Sequence, residues 1–279
     1  MASVPSRVAI WIPPALRNRS DVRRILQACA VGVRTIGAKT EITSDPVPDC
    51  AWAITWGLGN PETLRKAEAL INQGVKVIGW DLGYWHRSAP RPHYRLSINA
   101  VHPQALVMGV DRPPRPAAPK LRNDYDPNGH VLLVGMGRKS SDTYGEQLGQ
   151  WERQQIQAIQ KALPGRKIVF RPRPHGGLTE LPGFEKVTGP IQEALRGASL
   201  AVCRHSNVAV DAIVAGIPAV ADDGAAAAVC SHYVRSGLSP LPPEKARAFI
   251  DKLSWFQWAE DEMVKMETWG FIASQTDWV

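Results

Sequence analysis

Cysteine is scarce and scattered. The chain has four, Cys29, Cys50, Cys203 and Cys230. No Cys-x-x-Cys pair and no Cys/His spacing occurs, which argues against a zinc module. Cys29 and Cys203 sit in apolar runs, as thiols do in a reducing compartment. Long apolar runs are missing as well, and none approaches the length of a membrane span. The opening MASVPSRVAIWIPP holds a five-residue apolar run cut off by Pro13 and Pro14. No secretory signal is therefore expected, and a soluble cytoplasmic protein is. Two phosphate-binding fingerprints are also absent. There is no GxGxxG, and GMGRKS at 135–140 lacks the GxxxxGK[ST] spacing. Acidic residues are outnumbered, 26 against 33 Lys and Arg, for a net charge of +7. That balance suits a polyanionic partner or a phosphorylated ligand.

The chain has 279 residues, 44% of them hydrophobic, enough for one large domain or two ordinary ones. Ten Trp are many for this length, and most are expected in cores. Apolar runs recur with helical stretches between them. Arg7–Ile12 reads as a strand, Ser20 as the cap of a helix reaching about Val33, Ala51–Thr55 as a second strand, Glu62–Gln73 as a helix and Val75–Trp80 as a third strand. Polar Lys39–Asp49 reads as a connector. A Pro-rich stretch, Asp111–Gly129, reads as a linker. A second series follows: strand His130–Gly135, helix Trp151–Leu163, strand Lys167–Phe170, short helix Ile191–Arg196, strand Leu200–Cys203, helix Val208–Ala215 stopped by Gly216, and strand Ala219–Ala221. Glu244–Leu253 and Trp255–Trp269 are expected as terminal helices. Repeated β-loop-α units predict parallel sheets with helices on their faces, and ligands beyond the carboxyl ends of the strands.

Three such strand ends carry cations: Arg138 and Lys139, then Arg171, Arg173 and His175, then Arg204, His205 and Ser206. On parallel neighbours these turns converge on one edge, where a mono- or diphosphate would bind. Ser206 suits the cap of the following helix, and Asp211, five residues on, could reach a ribose hydroxyl. The alternative is a plain crossover with a polar turn. In the first series, the segment after Trp80 holds Asp81, bracketed by Gly79 and Gly83, and then Tyr84, Trp85, Arg87 and Arg95. Asp81 is a candidate general base on an acceptor hydroxyl, with the others as acceptor contacts. The structural alternative has Asp81 capping a turn and the arginines pairing with acids.

Two α/β units, a Pro-rich linker, a basic phosphate edge and terminal helices resemble the GT-B glycosyltransferases. KIVFRPRPH resembles the strand-plus-RPHP element of capsule and teichoic-acid type transferases, with the order here Pro-Arg-Pro-His. TGPIQEALRGASLAVCRHSNVAVDAIVAGIPAV resembles their nucleotide-sugar element, with Asp211 where Glu is usual. The resemblance covers 129–223. It implies two Rossmann-like parallel-sheet domains facing a cleft, with C-terminal helices crossing back. The implied boundaries are an acceptor domain at 1–115 plus 245–279, a linker at 116–128 and a donor domain at 129–244.

It further implies a nucleotide-sugar donor, most readily a UDP-sugar, and no metal. Gly137, Arg138, Lys139, Ser140, Arg171, Arg173, His175, His205, Ser206, Asn207 and Asp211 would hold that donor. The loop with Tyr84, Trp85, Arg87 and Arg95 is similar to what phage transferases acting on hydroxymethylated pyrimidines in DNA present, which would make DNA the acceptor and place the protein in a host cytoplasm; a monomer or weak dimer is expected. A cell-surface glycan acceptor, a nucleotide-sugar epimerase and a non-catalytic nucleotide- or nucleic-acid-binding protein are the alternatives.

Overall fold

The structure is a computed structural model that describes residues 5–46, 49–87, 90–103, 107–115, 118–173 and 176–275. In chain order its elements are β1 (Arg7–Trp11), α1 (Ser20–Arg34), β2 (Lys39–Thr43), β3 (Trp52–Trp56), α2 (Pro61–Ile71), β4 (Lys76–Leu82) and β5 (His93–Ile98). Then come β6 (His130–Val134), α3 (Arg138–Thr143), α4 (Gln150–Ala162), β7 (Ile168–Arg171), β8 (Glu185–Lys186), α5 (Ile191–Leu195), β9 (Ala198–Cys203), α6 (Val208–Val214) and β10 (Ala219–Ala221). The chain closes with α7 (Pro243–Leu253), β11 (Gln257–Ala259), α8 (Glu260–Met263) and α9 (Met266–Ser274). It divides into two compact units, residues 1–103 with 256–279, and residues 104–255.

In the first unit the strand order is β11-β5-β4-β3-β1-β2. β2, β1, β3 and β4 are parallel, whereas β5 runs antiparallel to β4, and β11 antiparallel to β5. The expectation of a wholly parallel sheet is corrected at this edge. His93–Ile98 was expected inside a loop, but it folds back on β4 as a strand. Lys39–Thr43 is likewise a strand, not a connector. Its polar residues are tolerated because an edge strand faces solvent. One face of the sheet packs Ala9, Trp11, Ala53 and Val77 on Ala67 and Leu70 of α2. α1 buries Val22, Ile25, Leu26, Cys29, Ala30 and Val33, an i, i+3, i+4 stripe.

Ser20 does not cap α1. It is the first helical residue, and Arg19 holds the cap position with no side-chain bond. Gly32 is where the C-terminal segment crosses α1. A Cβ there would overlap the carbonyl of Met263 and the indole of Trp269, which are themselves bonded at 2.6 Å. The end of the chain is thereby built into the first unit, but as 3-10 turn, strand and two short helices, not as the continuous helix expected from Trp255 to Trp269.

The second unit is an all-parallel sheet in the order β10-β9-β6-β7-β8. Its core joins Val131, Leu133, Phe170, Leu200 and Val202 of the strands to Trp151, Ile156 and Ile159 of α4. The stretch expected as a linker is tied to this unit: Arg122 N–H bonds Val214 O at 2.7 Å, and Asp124 N–H bonds Ala215 O at 2.8 Å. Gly216 ends α6 at φ 71, and a Cβ there would meet Arg122 O at 2.7 Å, so a side chain would break that join. α7 also lies in this unit, whereas the sequence expectation sent it back to the first. Among the described residues eight of nine Trp are buried, Trp11, Trp52, Trp56, Trp80, Trp151, Trp255, Trp258 and Trp269, and these leave little indole surface for stacking on a ligand.

Candidate functional site

In an open α/β sheet the ligand crevice lies beyond the carboxyl ends of the two strands where the chain reverses its direction of growth. In the second unit the chain leaves β6, adds β7 and β8 on one side, then returns to add β9 and β10 on the other. The reversal falls between β6 and β9. The loop after β6 is Gly135–Gly137, leading into α3. The loop after β9 is Arg204–Asn207, leading into α6.

The loop after β9 touches the start of α3 through side chains. His205 Nε2 and Ser140 Oγ are 3.1 Å apart. Arg173 Nη1, from the loop after β7, reaches the same Ser140 Oγ at 3.5 Å. That third loop is stitched to the first by the Arg138 N–H bond to Gly176 O at 2.5 Å and by an antiparallel bridge between Gly137 and Gly177. Arg138, Ser140, Arg173 and His205 are thus brought together as expected residues of one edge. The Arg138 and Arg173 side chains are exposed, and among the described residues neither makes an ion pair. Lys139 is exposed beside Arg138.

Other expected residues stand differently. Arg171 is half-buried at the end of β7. It donates to Gly189 O at 2.7 Å, and burial pulls its pKa down against the upward pull of Asp211. Asp211 thus acts on Arg171. Ser206 does not occupy the cap position of α6, which Asn207 holds, but its Oγ accepts from Val208 N–H at 3.2 Å. His175 lies outside the described residues.

Several site residues were not singled out in the sequence. Glu152 is fully buried in the first turn of α4 and accepts the Met136 N–H at 2.6 Å, so it pins the loop after β6 from below. Its signal was a carboxylate on the apolar side of a helix. Arg204, by contrast, was named as a cation of the third turn, yet it stacks on the Tyr144 ring at 3.8 Å and pairs with Glu146. Tyr144 Oη donates to Asp223 Oδ2 at 2.6 Å. Asp222 and Asp223 follow β10 directly, so inspecting the carboxyl end of that strand would have found them. Trp151 Nε1 donates to Asp222 at 3.2 Å.

In the first unit, Asp81 stands at the carboxyl end of β4. Its Oδ1 accepts Leu82 N–H at 2.7 Å, and its Oδ2 pairs with Arg95 at 3.0 Å. Arg95 also meets His102 Nδ1 at 2.5 Å. Tyr84 is completely buried, and burial pushes its hydroxyl up to about 12 despite the nearby Arg95 cation. Its ring offers an acceptor no surface. Trp85 is half-buried, with its backbone N–H on Gln257 Oε1 at 3.0 Å. The Arg87 guanidinium bonds the carbonyls of Gly83, at 2.8 Å, and Tyr84. Arg91 makes a two-pronged pair with Asp261 at 2.8 and 2.7 Å. These arginines are thus spent on holding the loop.

The reversal point of this sheet lies elsewhere, between β1 and β3. Arg17 and Arg23 are exposed there and make no ion pair among the described residues, while Arg19 pairs with Asp21 and Arg24 with Glu260. Across from them, the loop after β3 ends at Asn60, whose Oδ1 caps α2 at 3.0 Å. A Cβ placed on Gly59 would meet open space.

Two α/β units with parallel-strand sheets of this kind form the GT-B type of fold. No protein-family model matches the sequence, and no curated protein does. Solved structures do. The chain is similar to Thermosulfurimonas dismutans KpsC, beta Kdo 2,7 transferase, at 12% identity and a TM-score of 0.52, over 94% of this chain and 98% of that one. The beta Kdo 2,4 transferase of KpsC from the same organism aligns at 10% identity and a TM-score of 0.49, over 92% and 98%. A spinosyn rhamnosyltransferase, SpnG, complexed with thymidine diphosphate, aligns at 13% identity and a TM-score of 0.31. The first of these carries the likeness in fold. Among the described residues no three His, Cys, Asp or Glu side chains gather to hold a metal ion, and no helix is long and apolar enough to cross a membrane.

Proposed function

We propose that the protein is a glycosyltransferase that takes a nucleotide sugar, most readily a UDP-sugar, on its second unit. The observation that carries this reading is the meeting of three strand-end loops at the reversal point of an all-parallel sheet, with Arg138 and Arg173 exposed beside Ser140 and His205 and without an ion pair among the described residues. As the bond between sugar and diphosphate breaks, negative charge grows on the leaving phosphate. Fixed cations aimed at that position lower the barrier without help from a metal. Lys139 adds charge at the same edge, and Asp211 is the ribose contact.

The first unit takes the acceptor. Asp81 is the proposed base: it draws the proton from the acceptor hydroxyl, whose oxygen attacks the anomeric carbon while the nucleoside diphosphate leaves. Its remaining carboxylate lone pairs are available for that hydrogen bond. The acceptor is proposed to be an anionic polymer, with hydroxymethylated phage DNA as one form and a teichoic or capsule-type glycan as the other. Arg17 and Arg23 favour a polyanion in either case. The burial of Tyr84 removes one stacking surface that a flipped base would need.

The donor reading is tested by thermal shift with a panel of nucleoside diphosphates and nucleotide sugars. A ligand at a hundred times its Kd stabilises the fold by about 2.7 kcal/mol. A flat response to the whole panel sinks the reading. Duplex DNA that binds with a steep loss on adding salt selects the DNA acceptor, and no binding at low salt selects the glycan. Conversion of the sugar nucleotide without any acceptor would instead identify an epimerase.

A further inference from the structure

We propose that Arg204 is a positioning residue, not a phosphate ligand: with Tyr144, Glu146 and Asp223 it holds the His205–Ser140 pair where the donor phosphate is received. This deepens the donor reading and rests on it.

Arg204 has little charge left to offer an anion. Its side chain is 17% exposed, its edge faces Glu146, and the face of its guanidinium lies 3.8 Å from the Tyr144 ring centre. The circuit closes on itself. Tyr144 Oη donates to Asp223 at 2.6 Å, and Asp223 N–H donates to the Arg204 carbonyl at 2.8 Å. Asp223 Oδ1 in turn accepts Gly224 N–H at 2.6 Å. Three loops far apart in sequence are thereby clamped at the carboxyl edge.

Both members of the pair hang directly on this clamp. Tyr144 follows the helix that carries Ser140, and its N–H bonds the Ser140 carbonyl at 3.1 Å. His205 is the residue after Arg204, and its ring lies 5.7 Å from that of Tyr144. Among the described residues, the charged and titratable groups around His205 include Arg204, Tyr144, Glu146 and Asp223, with Arg173 reached through Ser140.

The clamp carries an energetic cost. Arg204 Nε and Glu146 Oε2 are buried without a hydrogen-bond partner among the described residues. Unsatisfied buried polar atoms are destabilising, and apolar side chains of similar volume join loops at least as firmly. A polar clamp gives something that an apolar one does not, namely a fixed orientation and a fixed electrostatic setting for the imidazole.

The test uses the full chain with Tyr144→Phe, Arg204→Lys, Arg204→Ala and Glu146→Gln. Circular dichroism checks the fold, UDP is the binding probe, and NMR follows the titration of His205. Tyr144→Phe keeps the ring under Arg204 and loses only the bond to Asp223. It is expected to weaken UDP binding about threefold to tenfold. Arg204→Ala is expected to cost about tenfold or more, with Arg204→Lys in between. Removing the Arg204 cation, or neutralising Glu146, changes the field at His205. Arg204→Ala should move its titration upward by about half a pH unit or more, and Glu146→Gln downward.

Folded Arg204→Ala and Tyr144→Phe proteins that bind UDP like the parent would overturn the proposal. So would a loss of binding with His205 titrating unchanged, since Arg204 would then touch the phosphate itself. If the parent binds no nucleotide, the donor reading has failed on its own assay, and the His205 titration alone decides the clamp: no movement refutes it. Should Arg204→Ala fail to fold, Tyr144→Phe and Glu146→Gln carry the same decision.

Discussion

In the first unit Arg87, Arg91 and Arg95 each bond a partner within the unit, to loop carbonyls, to Asp261 and to Asp81. In the second unit Arg138 and Arg173 stand exposed with no carboxylate beside them among the described residues. Both units are rich in arginine, with ten in the first and twelve in the second. What differs is how each charge is met. An arginine already bonded to carbonyls or a carboxylate must break those bonds before it can hold a ligand, whereas an exposed one gives up only water. Arg204 and Arg171 at the same edge are already met, Arg204 by Glu146 and Tyr144, and Arg171 by the Gly189 carbonyl.

The sharpest test of this contrast is catalytic. Asp81→Asn should lower glycosyl transfer about a hundredfold or more, the contribution typical of a general base, while UDP binding stays at the parental value. Unchanged turnover would leave the Asp81–Arg95 pair as scaffold. Next in size, the double variant Arg138→Ala/Arg173→Ala should weaken UDP about a hundredfold, measured by calorimetry, since each lost charged contact is worth about 1.5–3 kcal/mol. Arg87→Ala should leave UDP affinity alone. Equal losses from both would erase the difference between the units.

Smaller still is the stability effect of Arg95→Ala. It should cost about 2 kcal/mol in urea unfolding, less than a fully buried pair because Asp81 is 36% exposed. A further effect is shared by the two units. Burial raises the Tyr84 hydroxyl from 10.0 to about 12, and the Cys203 and Cys230 thiols from 9.0 to about 12. In the unfolded chain these groups release their protons earlier than in the folded one. Their contribution is therefore complete below pH 9 and is lost as the pH rises towards 12. The urea midpoint should fall steadily across that window. A midpoint that rises with pH there would contradict the burial of these groups.

Much of the fold is legible along the chain because a buried strand and an amphipathic helix announce themselves locally. β3, β4, β6 and β9 are apolar runs, and α1 carries its stripe at helical spacing. β2 and β5 were missed for opposite reasons. β2 lies at an edge and has no need of apolar residues, while β5 owes its place to pairing with β4, which no local pattern encodes. At the carboxyl edge of the second sheet, the strand-end rule located Arg138, Ser140, Arg173 and His205. It missed Tyr144, Glu146 and Glu152, since those side chains reach the edge from helices or from just beyond one.

The sequence by itself determined two α/β units and the strand ends that carry cations, because hydrophobic periodicity and the direction of a parallel strand are local properties. Only the tertiary structure decided which cations remain available to a ligand. That depends on partners far away in sequence: Glu146 lies 58 residues from Arg204, and Asp261 lies 170 from Arg91. A charge is inherited from its residue, but its availability is set by the atoms folded against it.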